Sequence, residues 1–229
     1  MRWVVGAARV LVFNSGPDAD PDLFETRAPR HPDAAARARM KTSVERIREF
    51  AGSDCHDLCQ ATDEAIIDGL GFDWLKPPGR PALEAYWRGV LLVPERELFV
   101  ARLDETIVGT AQLVKPSRSN EAAAFNTVLT TFFVTPWARG HGLARRLLAE
   151  VETWARAHGF KQISLDVRAS QDAAIALYES AGYVRWGVKP KYALVNRQYI
   201  PGHYYAKALA PTTKSKKRAK KRAPAAKLA

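Results

Sequence analysis

The stretch Thr135-Pro136-Trp137-Ala138-Arg139-Gly140-His141-Gly142-Leu143-Ala144 sets two glycines, an arginine and a histidine at the entry to an apolar periodic run. Glycines at such a junction let backbone N–H groups converge with no Cβ in the way. The amides of a helix's first turn have no internal partner and point at whatever lies in front of them. The helix dipole adds about 0.3 to 1 kcal/mol per favourable charge, so the stretch reads as a cradle for an anion. A pyrophosphate suits it, enclosed by Gly140, His141, Gly142, Leu143 and Ala144 with Arg139 and Arg145 as cations.

Spacing separates the phosphate-binding loops that could stand here. A P-loop needs Gly, four residues, then Gly-Lys-Ser/Thr, and the chain has no such run. A dinucleotide fingerprint needs Gly-x-Gly-x-x-Gly; Gly140 and Gly142 supply two glycines, but Arg145 stands where the third is required. What remains is Arg-x-x-Gly-x-Ala, read as Arg139, Gly142 and Ala144. Further along, QDAAIALYESAGYV sets Gln171, Ala174, Tyr178, Gly182 and Tyr183 at regular offsets.

These two motifs, in this order, resemble the GNAT superfamily of N-acetyltransferases. The family's pyrophosphate loop reads Gln/Arg-x-x-Gly-x-Gly/Ala between a strand and a long helix. Its second element reads Asn-x-x-Ala-x-x-x-Tyr-x-x-x-Gly-Phe; Gln171 replaces the Asn and Tyr183 the Phe. The resemblance spans Thr42 to Leu209 and is strongest from Leu129 to Val184. It implies an α/β, or mixed α+β, fold with a central, mostly antiparallel, splayed sheet flanked by helices. It also implies acetyl-CoA as cosubstrate, with no metal. Backbone groups near Phe132 and Val134 would hold the pantetheine arm, Ala174 would join the coenzyme-binding set, and Tyr178 would protonate the departing thiolate.

The base departs from the family pattern. Many relatives carry Glu on the strand before the loop, where this chain offers Thr130 and Thr131. A hydroxyl can order a water but cannot serve as a base at neutral pH. Glu84 is the expected carboxylate, acting at a distance from a helix beside the acceptor pocket. The acceptor itself is expected to be the primary amine of a small molecule. Two alternatives stand beside it: a protein or peptide amine, and a non-catalytic acyl-CoA-binding module.

The elements that must position these residues follow from periodicity. A strand fits Thr42 to Phe50, and a helix beginning at Ser53 or Asp54 carries Leu58, Ala61, Ala65 and Ile66. A second helix runs from Pro81 to Val93. Strands over Glu97–Arg102 and Ile107–Val114 flank an Asp104-Glu105 turn. The β-branched and aromatic run Val128–Val134 reads as a buried strand closed by Pro136. A helix over Gly142–His158, a strand over Gln162–Val167, a helix over Asp172–Ser180 and a strand over Tyr183–Val188 complete the pattern. Phe72 to Tyr86, Trp87, the loop Pro116 to Phe125 and the segment Trp186 to Tyr205, most of them rich in aromatics, are either acceptor walls or simply cover for the sheet, and pairing of two copies through the C-terminal strands would make a homodimer.

The net charge of +11 is unevenly spread: Pro211–Ala229 holds eight Lys or Arg and no acid, which leaves +3 elsewhere. That tail lacks the apolar residues to offset the entropy of ordering and reads as disordered, either a solubilising segment or a weak contact for RNA or ribosomes. Residues 1–40 read as an N-terminal extension. Its apolar start is broken by Gly6 and Arg9 and is too short to span a membrane. Residues 41–210 form the expected N-acetyltransferase domain, placed in the cytoplasm. Cys55 and Cys59, four apart with no completing ligands, are expected as buried thiols.

Overall fold

The computed structural model describes residues 40–69 and 73–210. The expectations for the N-terminal extension and the basic tail lie outside them. Seven strands form one sheet in the order β1-β2-β3-β4-β5-β7-β6. They are β1 (Thr42–Ile47), β2 (Arg96–Leu103), β3 (Thr106–Val114), β4 (Asn126–Val134), β5 (Gln162–Arg168), β6 (Val184–Val195) and β7 (Gln198–Ala208). Four helices flank it: α1 (Asp54–Ile67), α2 (Arg80–Leu92), α3 (Leu143–Ala157) and α4 (Asp172–Ser180). Every strand pair is antiparallel except β4 with β5.

Alternation along β2 feeds two cores. Leu98 and Val100, with Ile107 of β3, pack under α1 and α2, where Trp87 is fully buried and donates its indole N–H to Thr62 Oγ1 at 3.0 Å. Phe99, Ala101 and Leu103 point to the other face and meet Leu143, Leu147, Leu148 and Val151 of α3. That double burial is why both strands read as near-continuous apolar runs. The Asp104-Glu105 turn has positive φ at both residues, 47° and 71°, as the two-residue hairpin turn that follows the strand twist requires. Cys55 and Cys59 lie buried on α1, and burial with the neighbouring Cys55 pushes the Cys59 thiol up to about 12, so it stays protonated.

Two differences from the sequence reading matter for the site. The last strand expected at Tyr183–Val188 continues to Val195 and turns at Asn196-Arg197, both at positive φ, into β7. β7 then inserts between β5 and β6. The first strand ends at Ile47, before Phe50.

The feature that creates the site is a fork. β4 pairs with β5 only through Asn126, Thr127 and Val128 against Gln162, Ile163 and Ser164. Beyond that point β4 stays with β3 but carries a bulge: its register against β3 shifts between Thr110 and Gln112, with Thr131 at φ 51°. Gly109 permits this course, because a Cβ there would lie 2.6 Å from the Phe133 carbonyl oxygen.

Candidate active site

β4 ends at Val134, and a short 3-10 turn over Pro136–Ala138 leads to the glycines. Gly140 and Gly142 sit at φ 87° and 71°, where an L side chain is disfavoured, and Gly142 caps α3 in the left-handed conformation. The first helical bond runs from the Arg146 amide to the Gly142 carbonyl, so the amides of Leu143, Ala144 and Arg145 keep no helical partner. No acid stands in this first turn. A Cβ built on Gly140 or Gly142 meets nothing within 4 Å, so the loop faces open space. Free amides, no acid and this open space suit a diphosphate and therefore the pyrophosphate of acetyl-CoA.

A cavity of about 330 Å³ lies in front of the loop. Val134, Arg139, Gly140, Gly142, Leu143, Ala144 and Arg145 line it, joined by Ala173 and Leu177 from α4. Arg145 is exposed and forms no ion pair with a described residue, whereas the Arg139 guanidinium is engaged by Asp68 at the end of α1. His141 turns Nδ1 to the Ala138 carbonyl at 3.1 Å, and its buried Nε2 has no partner among the described residues. Ala174 packs against the core on the neighbouring face of α4. Gln171, at the start of α4, reaches the Gly69 carbonyl at 2.5 Å and so ties α4 to the end of α1.

At the fork, Phe132 and Tyr178 stack in a tilted pair with ring centroids 5.7 Å apart. Tyr178 is only 5% exposed, and its hydroxyl makes no hydrogen bond with a described residue. Burial, then the nearby charge of Asp166, pushes the phenol well above its ordinary value, so it is a protonated donor at any physiological pH. Beyond Val128, the backbone edge of β4 turned away from β3 has no strand partner among the described residues.

Asp166 is the carboxylate that the sequence reading passed over. It lies on β5 just beyond the last residue paired with β4, exposed, and close enough to Tyr178 for its charge to be felt by the phenol. Its Oδ2 accepts a hydrogen bond from the Tyr192 hydroxyl. Tyr192 arrives there because the β6–β7 register shifts between Lys189 and Ala193, which lays its ring across Gly202 of β7. Glu84, the base expected from sequence, instead turns to Arg80 one helical turn away at 3.1 Å, on the partly exposed side of α2. Thr130 and Thr131 lie with their hydroxyls 3.4 Å apart.

Comparison with known proteins agrees with this geometry. The family model described as acetyltransferase (GNAT) matches residues 60–183, just over half of the chain. An uncharacterized N-acetyltransferase from the hisH-hisA intergenic region of Azospirillum brasilense is 59% identical over 129 residues, covering 56% of this chain and 77% of that protein. The N-alpha-acetyltransferase RimI of Mycobacterium tuberculosis is 36% identical over 106 residues, 46% of this chain and 63% of that protein. Among solved structures, YncA of Salmonella typhimurium with acetyl-CoA shares the fold at a TM-score of 0.60 and 17% identity, covering 75% of this chain and 96% of that one. The ribosomal-protein-alanine N-acetyltransferase of Brucella melitensis does so at 0.62 and 21%, covering 73% and 99%. The chain belongs to the GNAT family of acetyl-CoA-dependent N-acetyltransferases.

Proposed function

We propose that residues 41–210 form an enzyme that acetylates the α-amine of a polypeptide, with Asp166 as general base and Tyr178 as general acid. The observation that carries this reading is the pairing of an exposed carboxylate and a buried, protonated phenol at the fork, beside the glycine cradle. Acetyl-CoA, when bound, supplies the acetyl group as a thioester. Arg145, the amides of Leu143–Arg145 and the free edge of β4 hold it. Asp166 Oδ takes a proton from the incoming ammonium; the amine nitrogen bonds to the thioester carbonyl carbon, the carbon–sulfur bond breaks, the Tyr178 hydroxyl gives its proton to the departing sulfur, and the second proton shed by the nitrogen as it becomes an amide restores the phenol. Tyr192 fixes the carboxylate's orientation through its hydrogen bond. Alignment itself contributes strongly, on the order of 7 to 11 kcal/mol in favourable intramolecular models.

A polypeptide acceptor is supported by how open the surroundings of Asp166 are: Trp186 is 66% exposed, and the neighbouring faces of β6 and β7 are accessible. An α-amine has a pKa near 8, so about one-tenth is already neutral at pH 7 and the demand on a base is small. Similarity to a named N-alpha-acetyltransferase points the same way. A small-molecule amine, the acceptor expected from sequence, is the second reading. Its support is the aromatic wall where Trp74 meets Tyr86 at 5.2 Å and the Tyr86 hydroxyl accepts from Gln112 at 3.1 Å. The basic tail, Pro211–Ala229, is proposed as an accessory contact for RNA or ribosomes, to be tested by deleting it and following salt-sensitive association.

The deciding experiment is calorimetric titration with acetyl-CoA of the wild type and of Gly142→Asp, which sets a carboxylate in the cradle. Micromolar binding lost in the variant is expected. A folded wild type that does not bind acetyl-CoA would overturn the proposal. A screen of short peptides and small amines then separates the two acceptor readings.

A further inference from the structure

β4 breaks its own alternation at the fork. In a regular strand successive side chains point to opposite faces, so Phe133, an even number of residues beyond Leu129, should share its side of the sheet. Leu129 lies in the core with α3, but Phe133 packs in the core with α1 and α2, and Val134 takes the α3 side instead. Thr130 pairs with Gln112 and Phe133 with Thr110, so Thr131 and Phe132 stand together opposite Ala111. Thr131 takes up the irregularity at φ 51°. The other non-glycine residues with positive φ among the described residues, Asp104, Glu105, Asn196 and Arg197, sit in hairpin turns. Thr131 is within a strand and β-branched, the residue type for which this conformation is most costly.

The strained residue brings two hydroxyls to one side. Thr130 and Thr131 are neighbours in sequence, yet their Oγ1 atoms lie only 3.4 Å apart. That is longer than a good O–H···O bond of about 2.5 to 3.0 Å, and neither hydroxyl has another partner among the described residues. Both residues are half-buried. Register places them across the fork from Asp166. Val128 pairs with Ser164, so Thr130 and Asp166, each two residues further on, stand at the same level and on the same face. Paired strands lie about 4.8 Å apart, and where pairing has ceased the gap is wider, the scale that one polar atom with a hydrogen bond to each side bridges.

We infer that Thr130 and Thr131 hold the primary amine of the acceptor against Asp166, the two hydroxyl oxygens each accepting one N–H and the carboxylate accepting the third. This rests on the reading of Asp166 as the base, and it applies to a peptide α-amine and to a small primary amine alike. Three oxygens around one point match the three donors of a primary ammonium. Once Asp166 has taken a proton, rotation about the C–N bond turns the nitrogen's lone pair to the thioester carbon while a hydroxyl keeps one remaining N–H. A bulge that served only to part β4 from β5 would be built with less strain by glycine, and glycine has no hydroxyl to offer.

The test compares Thr130→Val, Thr131→Val, Thr131→Ser and Thr131→Gly in the full chain, with the tetrapeptide Ala-Ala-Ala-Ala and with phenylethylamine as acceptors. Valine keeps the β-branch and removes the hydroxyl. Either valine variant should lower kcat/KM for the acceptor by about ten-fold, the scale of one hydrogen bond to a charged group, with acetyl-CoA affinity kept. Thr131→Ser, which retains the hydroxyl, should recover most of that loss. Thr131→Gly should move stability and activity in opposite directions, with a melting temperature about 2 °C higher as the strain is relieved and kcat/KM about ten-fold lower. Valine variants with wild-type kcat/KM, or a serine variant as weak as valine, would overturn the inference and leave Asp166 as the base. Loss of acetyl-CoA affinity in step with activity in Thr131→Gly would overturn it too, because the residue would then shape the coenzyme's edge of β4. Full activity in Asp166→Asn would overturn the base reading and with it the three-oxygen arrangement, a result distinct from any the threonine variants give.

Discussion

The Tyr178 phenol is buried and lies in the field of the Asp166 carboxylate. Burial and the Asp166 charge both hold the phenol in its neutral form, so its proton is available and is not lost at moderately alkaline pH. Tyr178→Phe should keep the ring packed on Phe132 and leave acetyl-CoA affinity within about three-fold while lowering kcat on the order of a hundred-fold. Asp166→Asn should lower kcat/KM for a peptide α-amine on the order of a hundred-fold with acetyl-CoA affinity kept; an unchanged kcat/KM would rule out Asp166 as the base. The cradle was legible in the sequence because glycine and arginine have few other reasons to stand at a strand-to-helix junction. Asp166 was not: in Gln162–Arg168 it reads as one solvent-facing member of an alternating strand. Only the early parting of β4 from β5 leaves that position without a β4 neighbour, where the proposed base stands. Arg139 illustrates the converse, a residue correctly placed on the loop whose side chain is shared with Asp68, a partner distant in sequence.

Among the elements, α1 is fixed at its start by an ion pair that ties it to the β2–β3 hairpin. The Arg102 guanidinium meets both Asp54 oxygens, at 2.7 and 3.1 Å, and Nε reaches Glu45 at 2.7 Å. Burial alone would raise Asp54, but hydrogen bonds from Arg102 and the Ala51 amide, with the Arg102 charge, outweigh it and lower it below 3.8. A carboxyl depressed in the folded state contributes stability above its unfolded pKa and loses it as the pH falls through the folded value. Melting temperature should therefore decline as the pH drops below about 4, and Asp54→Asn should flatten that decline while costing about 3 kcal/mol at neutral pH. The β6–β7 hairpin permits a second test. A Cβ at Gly202 would overlap the Tyr192 ring, so Gly202→Ala should displace Tyr192 from Asp166. Activity should fall several-fold in both Gly202→Ala and Tyr192→Phe; full activity in both would show the hydrogen bond to be dispensable. The long helix α3 and the β2–β3 hairpin were readable from periodicity and turn chemistry. β7 and the far half of β6 were not, because Pro190, Pro201, Gly187 and Gly202 interrupt the alternation that marks a strand.

On the scale of the whole molecule, the sheet is continuous in order but not in strength. β2 with β3 and β6 with β7 are paired along most of their length, yet the two halves meet through three residue pairs between β4 and β5. The fork is thus a seam in the hydrogen-bond network as well as a place for chemistry. A cosubstrate arm held along the free edge of β4, as proposed, would take the position of the missing strand, so that loading the enzyme would complete its sheet. Hydrogen exchange should register this: amides of Leu129–Val134 and of β5 should exchange faster than those of β2 and β3, and acetyl-CoA should slow them by more than it slows any amide in β2. Equal protection before and after loading would mean that the seam is already closed. If it is open, the protein borrows a structural member from the molecule it consumes. Each turnover then returns the enzyme to its less tightly knit form, so starvation for acetyl-CoA would leave it more open to proteolysis as well as idle.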